Sequence, residues 1–222
     1  TANSYLLLTP YRSSWGQLLH FENLFTLHVL LLAAFPAAAA WSLDARRTGG
    51  RRRDPTTSGL ALQLACICVV VTYVIAGIAK LRLGGAEWAL GDNLRNHIAY
   101  SAVRLDLLGA DGSPLAGPVV RNAWLLPPMA VVTLVIELAA PVALLGPRLR
   151  NIWVAAAWAM HVGIFALMLV GFPYPLFLVA FAPFFALERL VERDRRSARR
   201  VAGTHPASPR RTDRPAGPAP RP

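Results

Sequence analysis

Residues Tyr73 to Gly91 read YVIAGIAKLRLGGAEWALG, and they contain Lys80, the only lysine in the chain, at the end of a long uncharged run. Tyr73, Gly77 and Lys80 are spaced i, i+4, i+7, so a phenol, a backbone gap and an amine share one face of an α-helix. Such a face can wall a site between membrane helices. The plainer reading, which this helix alone favours, is that its terminal lysine snorkels to the interface, as such lysines commonly do.

Working outward, the composition supports a membrane protein. The chain has 222 residues, is 55% hydrophobic and carries a net charge of +11. The charge is confined to short blocks between long uncharged runs, the pattern of a polytopic membrane chain. Of the 23 basic residues all but Lys80 are arginines, set in loops and a tail. That placement fits the positive-inside rule and speaks against nucleic acid as a partner. Cys66 and Cys68 lie two apart in one apolar helix and point to different faces, so they read as packing residues; the spacing offers no metal site. Thr1 opens without an initiator methionine or a signal-peptide pattern, which reads as a fragment or a processed product.

The expected fold is all-α, a polytopic transmembrane helical bundle with about five spans. Residues 1–187 form the transmembrane domain, its N-terminal part truncated, and residues 188–222 an Arg/Pro-rich disordered tail. The spans are Phe25 to Trp41, Leu60 to Ala79, Ala123 to Leu145 (interrupted by Glu137 and Pro141), Ile152 to Val170, and a short, proline-interrupted segment from Tyr174 to Leu187. Between the second and third spans, Leu94, Ile98, Ser101, Ala102, Leu105 and Leu108 recur at helical spacing. Asp92 stands ahead of them as the candidate N-cap, which predicts an amphipathic helix lying on the membrane surface.

Charge orients the bundle. Segments 42–59 and 146–151 and the tail net +3, +2 and +6, whereas 81–121 nets zero. Alternate connections are basic, so one topology satisfies them all: basic loops and C-terminus cytoplasmic, Lys80 and the long connection on the other side.

Three ionisable side chains fall inside the spans: His28, Glu137 and His161. Such groups are costly in lipid and face a cavity or each other. Glu137 and His161 are each twelve residues from the turn near Leu149, which predicts equal depth and a hydrogen-bonded or ion-paired contact between them. A plain tie between two helices explains that pair as well as a site does. His28 is expected near the level of Lys80. The polar groups would then descend from an outer mouth, Lys80 and His28, past Tyr73 to Glu137 and His161. That series suits a channel, a lipid-processing pocket or a quinone site.

YVIAGIAKL followed by Trp88-Ala89-Leu90-Gly91 resembles the signature of the vitamin K-dependent γ-carboxylase family and its bacterial relatives, the horizontally transferred transmembrane (HTTM) domain proteins. The resemblance extends to Trp41-Ser42-Leu43-Asp44, to Leu134-Val135-Ile136-Glu137-Leu138 and to Met160-His161, in order over roughly residues 3–187. In the carboxylases the lysine matching Lys80 deprotonates vitamin K hydroquinone. Oxygen then yields a strong base that abstracts a glutamate γ-proton, and carbon dioxide adds to the carbanion.

The resemblance therefore implies Lys80 and His161 as catalytic residues, in a substrate or quinone pocket with Tyr73, Gly77, Glu137, His28 and Trp88. Its cofactor would be reduced vitamin K or menaquinone, with no metal, and its partners the lipid bilayer, a quinone and a peptide substrate. The location it implies is the bacterial plasma membrane, as a multi-pass protein. The chemistry asks for an amine kept neutral by desolvation, since an ammonium cannot accept a proton. Three features depart from the family. The connection from Lys80 to Trp88 is longer through Gly84-Gly85, and Asn23 is followed by Leu24 rather than histidine, so that His20 or His28 would have to replace it. A short tail also stands where the animal enzyme has the large extramembranous domain that grips peptides. Two other roles stay open: a non-catalytic partner in maturing a secreted peptide, like the sporulation-delaying protein B relatives, and a DoxX-like redox component.

Overall fold

The computed structural model describes residues 23–35 and 55–185, and among these every regular element is helical. In chain order they are α1 (Asn23–Ala34), α2 (Pro55–Ala89), α3 (Asp92–Leu107), α4 (Ala116–Arg121), α5 (Leu126–Leu138), α6 (Pro147–Met168) and α7 (Pro173–Leu176). Three 3₁₀ segments join them: Ala123–Leu125, Ala140–Leu144 and Val179–Phe184. The Trp41–Asp44 motif, His20, the 42–54 arginines and the 188–222 tail lie outside the described residues.

α2 is the spine. It packs against α1, α5, the 3₁₀ segment Ala140–Leu144 and the closing segment Val179–Phe184. Most of what it presents to the outside is apolar: Val71 is 45% exposed, Ile75 60% and Leu83 90%. Only 22% of its most apolar eighteen residues are buried, and the same holds for α6. The core helix of a water-soluble protein buries such a stretch, whereas lipid accepts it. The interior, by contrast, is built on small residues. Ala140, Ala143, Ala157 and Ala180 are at most 3% exposed and let helices approach, with Tyr73, Trp153 and Phe181 filling the remaining space. Packing of this kind holds helices together where water supplies no hydrophobic drive. Cys66 and Cys68 are free and pack at the edge of this core.

The chain departs from the expected spans in four places, each with a local cause. α2 does not stop near Lys80 but continues to Ala89, broken only at Gly85 (φ 52°, ψ −140°), a conformation open to glycine. The amphipathic helix is present, with Ile98 and Ser101 buried and Leu94, Ala102 and Leu105 half-buried, while Leu108 falls beyond its end and is exposed. Its N-cap is Gly91 in the left-handed region (φ 88°), not Asp92, which opens the helix without a capping bond. Gly91 is required twice over, because a Cβ there would lie 2.7 Å from the Leu126 carbonyl carbon.

The third span is α5 followed by the 3₁₀ segment Ala140–Leu144, with Pro141 at the break. The fifth is not one helix. Leu178 takes a left-handed turn (φ 63°) between α7 and the 3₁₀ segment, which also contains Pro183. Together with the two long apolar helices there are two shorter ones, Asn23–Ala34 and Ala123–Leu138.

α5 runs antiparallel to its neighbours. Its first residue, Leu126, packs at the α3 end beside Ile98 and Met168, and its last turn meets Gly77. α2 and α6 are therefore parallel, and Arg150 near the start of α6 faces the α2 half that holds Cys66. One end of the bundle carries Arg148 and Arg150; the other carries α3 and α4.

Candidate functional site

Gly77 brings the site together. A Cβ there would lie 2.9 Å from Leu138 Cδ2 and 3.1 Å from Glu137 Cβ, so only glycine lets α5 come this close to α2. One turn further along α2, Lys80 Nζ donates to Glu137 Oε1. Glu137 is 5% exposed, and its second oxygen, Oε2, is buried with no partner. The Lys80 side chain keeps 23% of its surface open. The pair is thus anchored on the buried side and accessible from the lysine side.

Beyond Lys80 the break at Gly85 folds the end of α2 back, and Lys80 Nζ lies 4.9 Å from the centroid of the Trp88 ring, a cation–π contact. The longer Gly84-Gly85 connection therefore does not carry the tryptophan away from the amine. The indole Nε1 of Trp88 is buried with no partner. The His97 ring meets Trp88 in a tilted contact, with centroids 5.6 Å apart. Lys80, Trp88, Asn93 and His97, with Ala79, Leu83 and Gly84, line an open hollow of about 340 Å³. Gly84 makes room for Asn93, whose Nδ2 stands 2.5 Å from where a Cβ would be.

Tyr73 occupies the same face of α2 deeper in the bundle, in edge contact with Trp153 at 5.0 Å. Its Oη is 3.5 Å from His161 Nδ1, which is also 2.9 Å from the Ala157 carbonyl oxygen. A carbonyl only accepts, so Nδ1 carries the hydrogen and donates it to Ala157. The Tyr73 hydroxyl hydrogen is then not committed to His161. The expected Glu137–His161 pair does not form: Glu137 is held by Lys80, and His161 by its own helix and Tyr73. The equal-depth reading rests on 1.5 Å of rise per residue throughout the hairpin, and the 3₁₀ segment Ala140–Leu144 rises about 2.0 Å.

His28 is also placed differently from the expectation. Its Nε2 donates to the Ala65 carbonyl at 3.1 Å, and its Nδ1 accepts from Tyr174 Oη at 2.5 Å. Ala65 lies fifteen residues before Lys80 on the same helix, about 22 Å along the axis. His28 ties α1 to α2 and to α7, remote from the amine. The outer mouth consists of Lys80, Trp88, Asn93 and His97 instead, and Glu137 sits buried behind Lys80, bonded to it rather than to His161.

A sequence model described as the HTTM domain matches residues 5–188. The chain belongs to the HTTM family. No curated protein and no solved structure matches the chain significantly. The HTTM match covers every described element, so the Lys80–Glu137 pair and its hollow lie wholly within the HTTM domain. Asn93 and His97 are the wall residues that the sequence reading passes over. Their i, i+4 spacing, two residues after Gly91, is the signal that could have found them.

Proposed function

We propose that this HTTM protein is a bacterial plasma-membrane enzyme of carboxylase-like, quinone-linked chemistry, with Lys80 as its proton-accepting group. By the positive-inside rule the end bearing Arg148 and Arg150 faces the cytoplasm and the hollow opens on the opposite side. The observation that carries the reading is the Lys80–Glu137 pair, whose lysine lines an aromatic-walled hollow while its glutamate is buried behind.

The chemistry of the pair follows from its placement. Ammonium with carboxylate and amine with carboxylic acid have the same net charge, so a proton can pass from Lys80 Nζ to Glu137 Oε1 without adding charge to the bilayer interior. In the second form Nζ has a free lone pair and can accept a proton at the hollow. Glu137 thereby acts as the store for the proton that Lys80 must lose. Tyr73, on the same face of α2 as Lys80, and His161 beside it are both buried, and in this reading they close the site inward.

The residues present fit a reduced quinone. Trp88 and His97 offer ring faces, Asn93 a donor and acceptor, and the Trp88 indole N–H is a buried donor still lacking an acceptor. When bound, such a group would supply an acidic hydroxyl and the capacity to react with oxygen. His28, some 22 Å away by helix rise, takes no part.

The test is oxygen consumption by the purified protein in lipid nanodiscs supplied with reduced menaquinone, together with analysis for quinone epoxide. The expected result is turnover in the wild type and its loss in Lys80→Ala. Turnover unchanged in that variant, or none in the wild type, refutes the proposal.

A further inference from the structure

We propose that Glu137 sets the charge selectivity of the hollow, so that it admits uncharged ring compounds bearing a hydroxyl or amide and excludes carboxylates. This rests on the reading of the hollow as a ligand site. An isolated lysine at the floor of an apolar pocket attracts anions. Here Lys80 Nζ is already bonded to Glu137 Oε1, so its charge is cancelled from behind. A ligand carboxylate at Lys80 would meet an ammonium whose charge Glu137 already neutralises, and would be repelled by the Glu137 carboxylate just behind it.

The surroundings do not restore a positive field. Among the described residues α2 beyond Lys80 carries Arg82 and Glu87, and the first turn of α3 carries Asp92 and Arg95, two of each sign and all exposed. The rest of the wall carries no arginine, aspartate or glutamate: it is Ala79, Leu83, Gly84, Trp88, Asn93 and His97. The Trp88 and His97 rings in the wall offer apolar ring surface to an aromatic ligand, and the asparagine amide suits a hydroxyl or amide at its edge. A glutamate side chain in its carboxylate form is therefore not what this hollow holds beside Lys80.

The experiment measures saturable binding of two probes of equal shape, 2-naphthol and 2-naphthoate, to the protein in lipid nanodiscs at neutral pH. The readout is the ratio of their affinities, because partition into lipid is the same for every variant and cancels. Wild type should prefer naphthol. Glu137→Gln frees a cation and should shift the ratio towards naphthoate by about tenfold or more, the size of one charge-assisted hydrogen bond. The double variant Lys80→Gln with Glu137→Gln has no charge to strand and should return to the wild-type preference, which separates a charge effect from a folding effect. Naphthoate preferred by the wild type, or a ratio unmoved by Glu137→Gln, overturns the selectivity. Saturable binding of neither probe by any variant overturns the ligand-site reading itself.

Discussion

Removing either partner of the Lys80–Glu137 pair should destabilise the bundle, and by unequal amounts. Lys80→Met leaves the Glu137 carboxylate at 5% exposure with no cation beside it. Stranding a buried charge in this way costs about 3–5 kcal/mol. Glu137→Gln strands Lys80 instead, but that side chain is 23% open and can turn its ammonium towards the hollow. Its cost should be nearer the loss of a charge-assisted bond, about 1.5–3 kcal/mol. Lys80→Met combined with Glu137→Leu removes both charges and should recover to within about 1–2 kcal/mol of wild type, far from the sum of the singles. Reversible unfolding in mixed micelles, followed by tryptophan fluorescence, measures all three. Equal losses in the two single variants, or a double variant that equals their sum, would refute a buried pair open on the lysine side.

Other positions give sharper yes-or-no outcomes. Gly91→Ala places a methyl 2.7 Å from the Leu126 carbonyl carbon at φ 88°, and should lose more than about 2 kcal/mol or fail to accumulate. Gly163→Ala, where nothing stands within 4 Å, should be neutral or stabilise by about 0.5–1 kcal/mol in the same unfolding assay. His28→Phe forfeits the bonds to Ala65 and Tyr174 and should cost about 1–3 kcal/mol while leaving naphthol affinity unchanged. A large loss of that affinity would mean that His28 communicates with the hollow after all.

The helical face of Tyr73, Gly77 and Lys80 is legible in the sequence because three side chains on one helix obey a fixed period. The same holds for Ile98 and Ser101 on α3. What the sequence does not carry is the partner of each polar group, since that depends on how helices are staggered. Glu137 meets Lys80 rather than His161 because Gly77 draws the last turn of α5 onto α2, and because the 3₁₀ segment after it spoils counting from the turn. His28 falls beside Ala65 for the same reason: depth along α1 says nothing about where α1 crosses α2. Trp88 folds back over Lys80 through a single positive φ at Gly85, which glycine permits but does not require. The identity of a wall residue such as His97 was readable only as spacing, and it needed the turn at Gly91 to aim it.

The sole lysine lines an accessible hollow and is held there by Glu137 from behind. Because no other lysine competes, acylation of the intact protein in nanodiscs by a small amine-reactive ester, followed by peptide mass spectrometry, reports on Lys80 alone. The structure predicts modification that is slow relative to the denatured chain and about tenfold or more faster in Glu137→Gln, once the charge-assisted bond is gone. A rate equal to that of the denatured chain and indifferent to Glu137→Gln would contradict it.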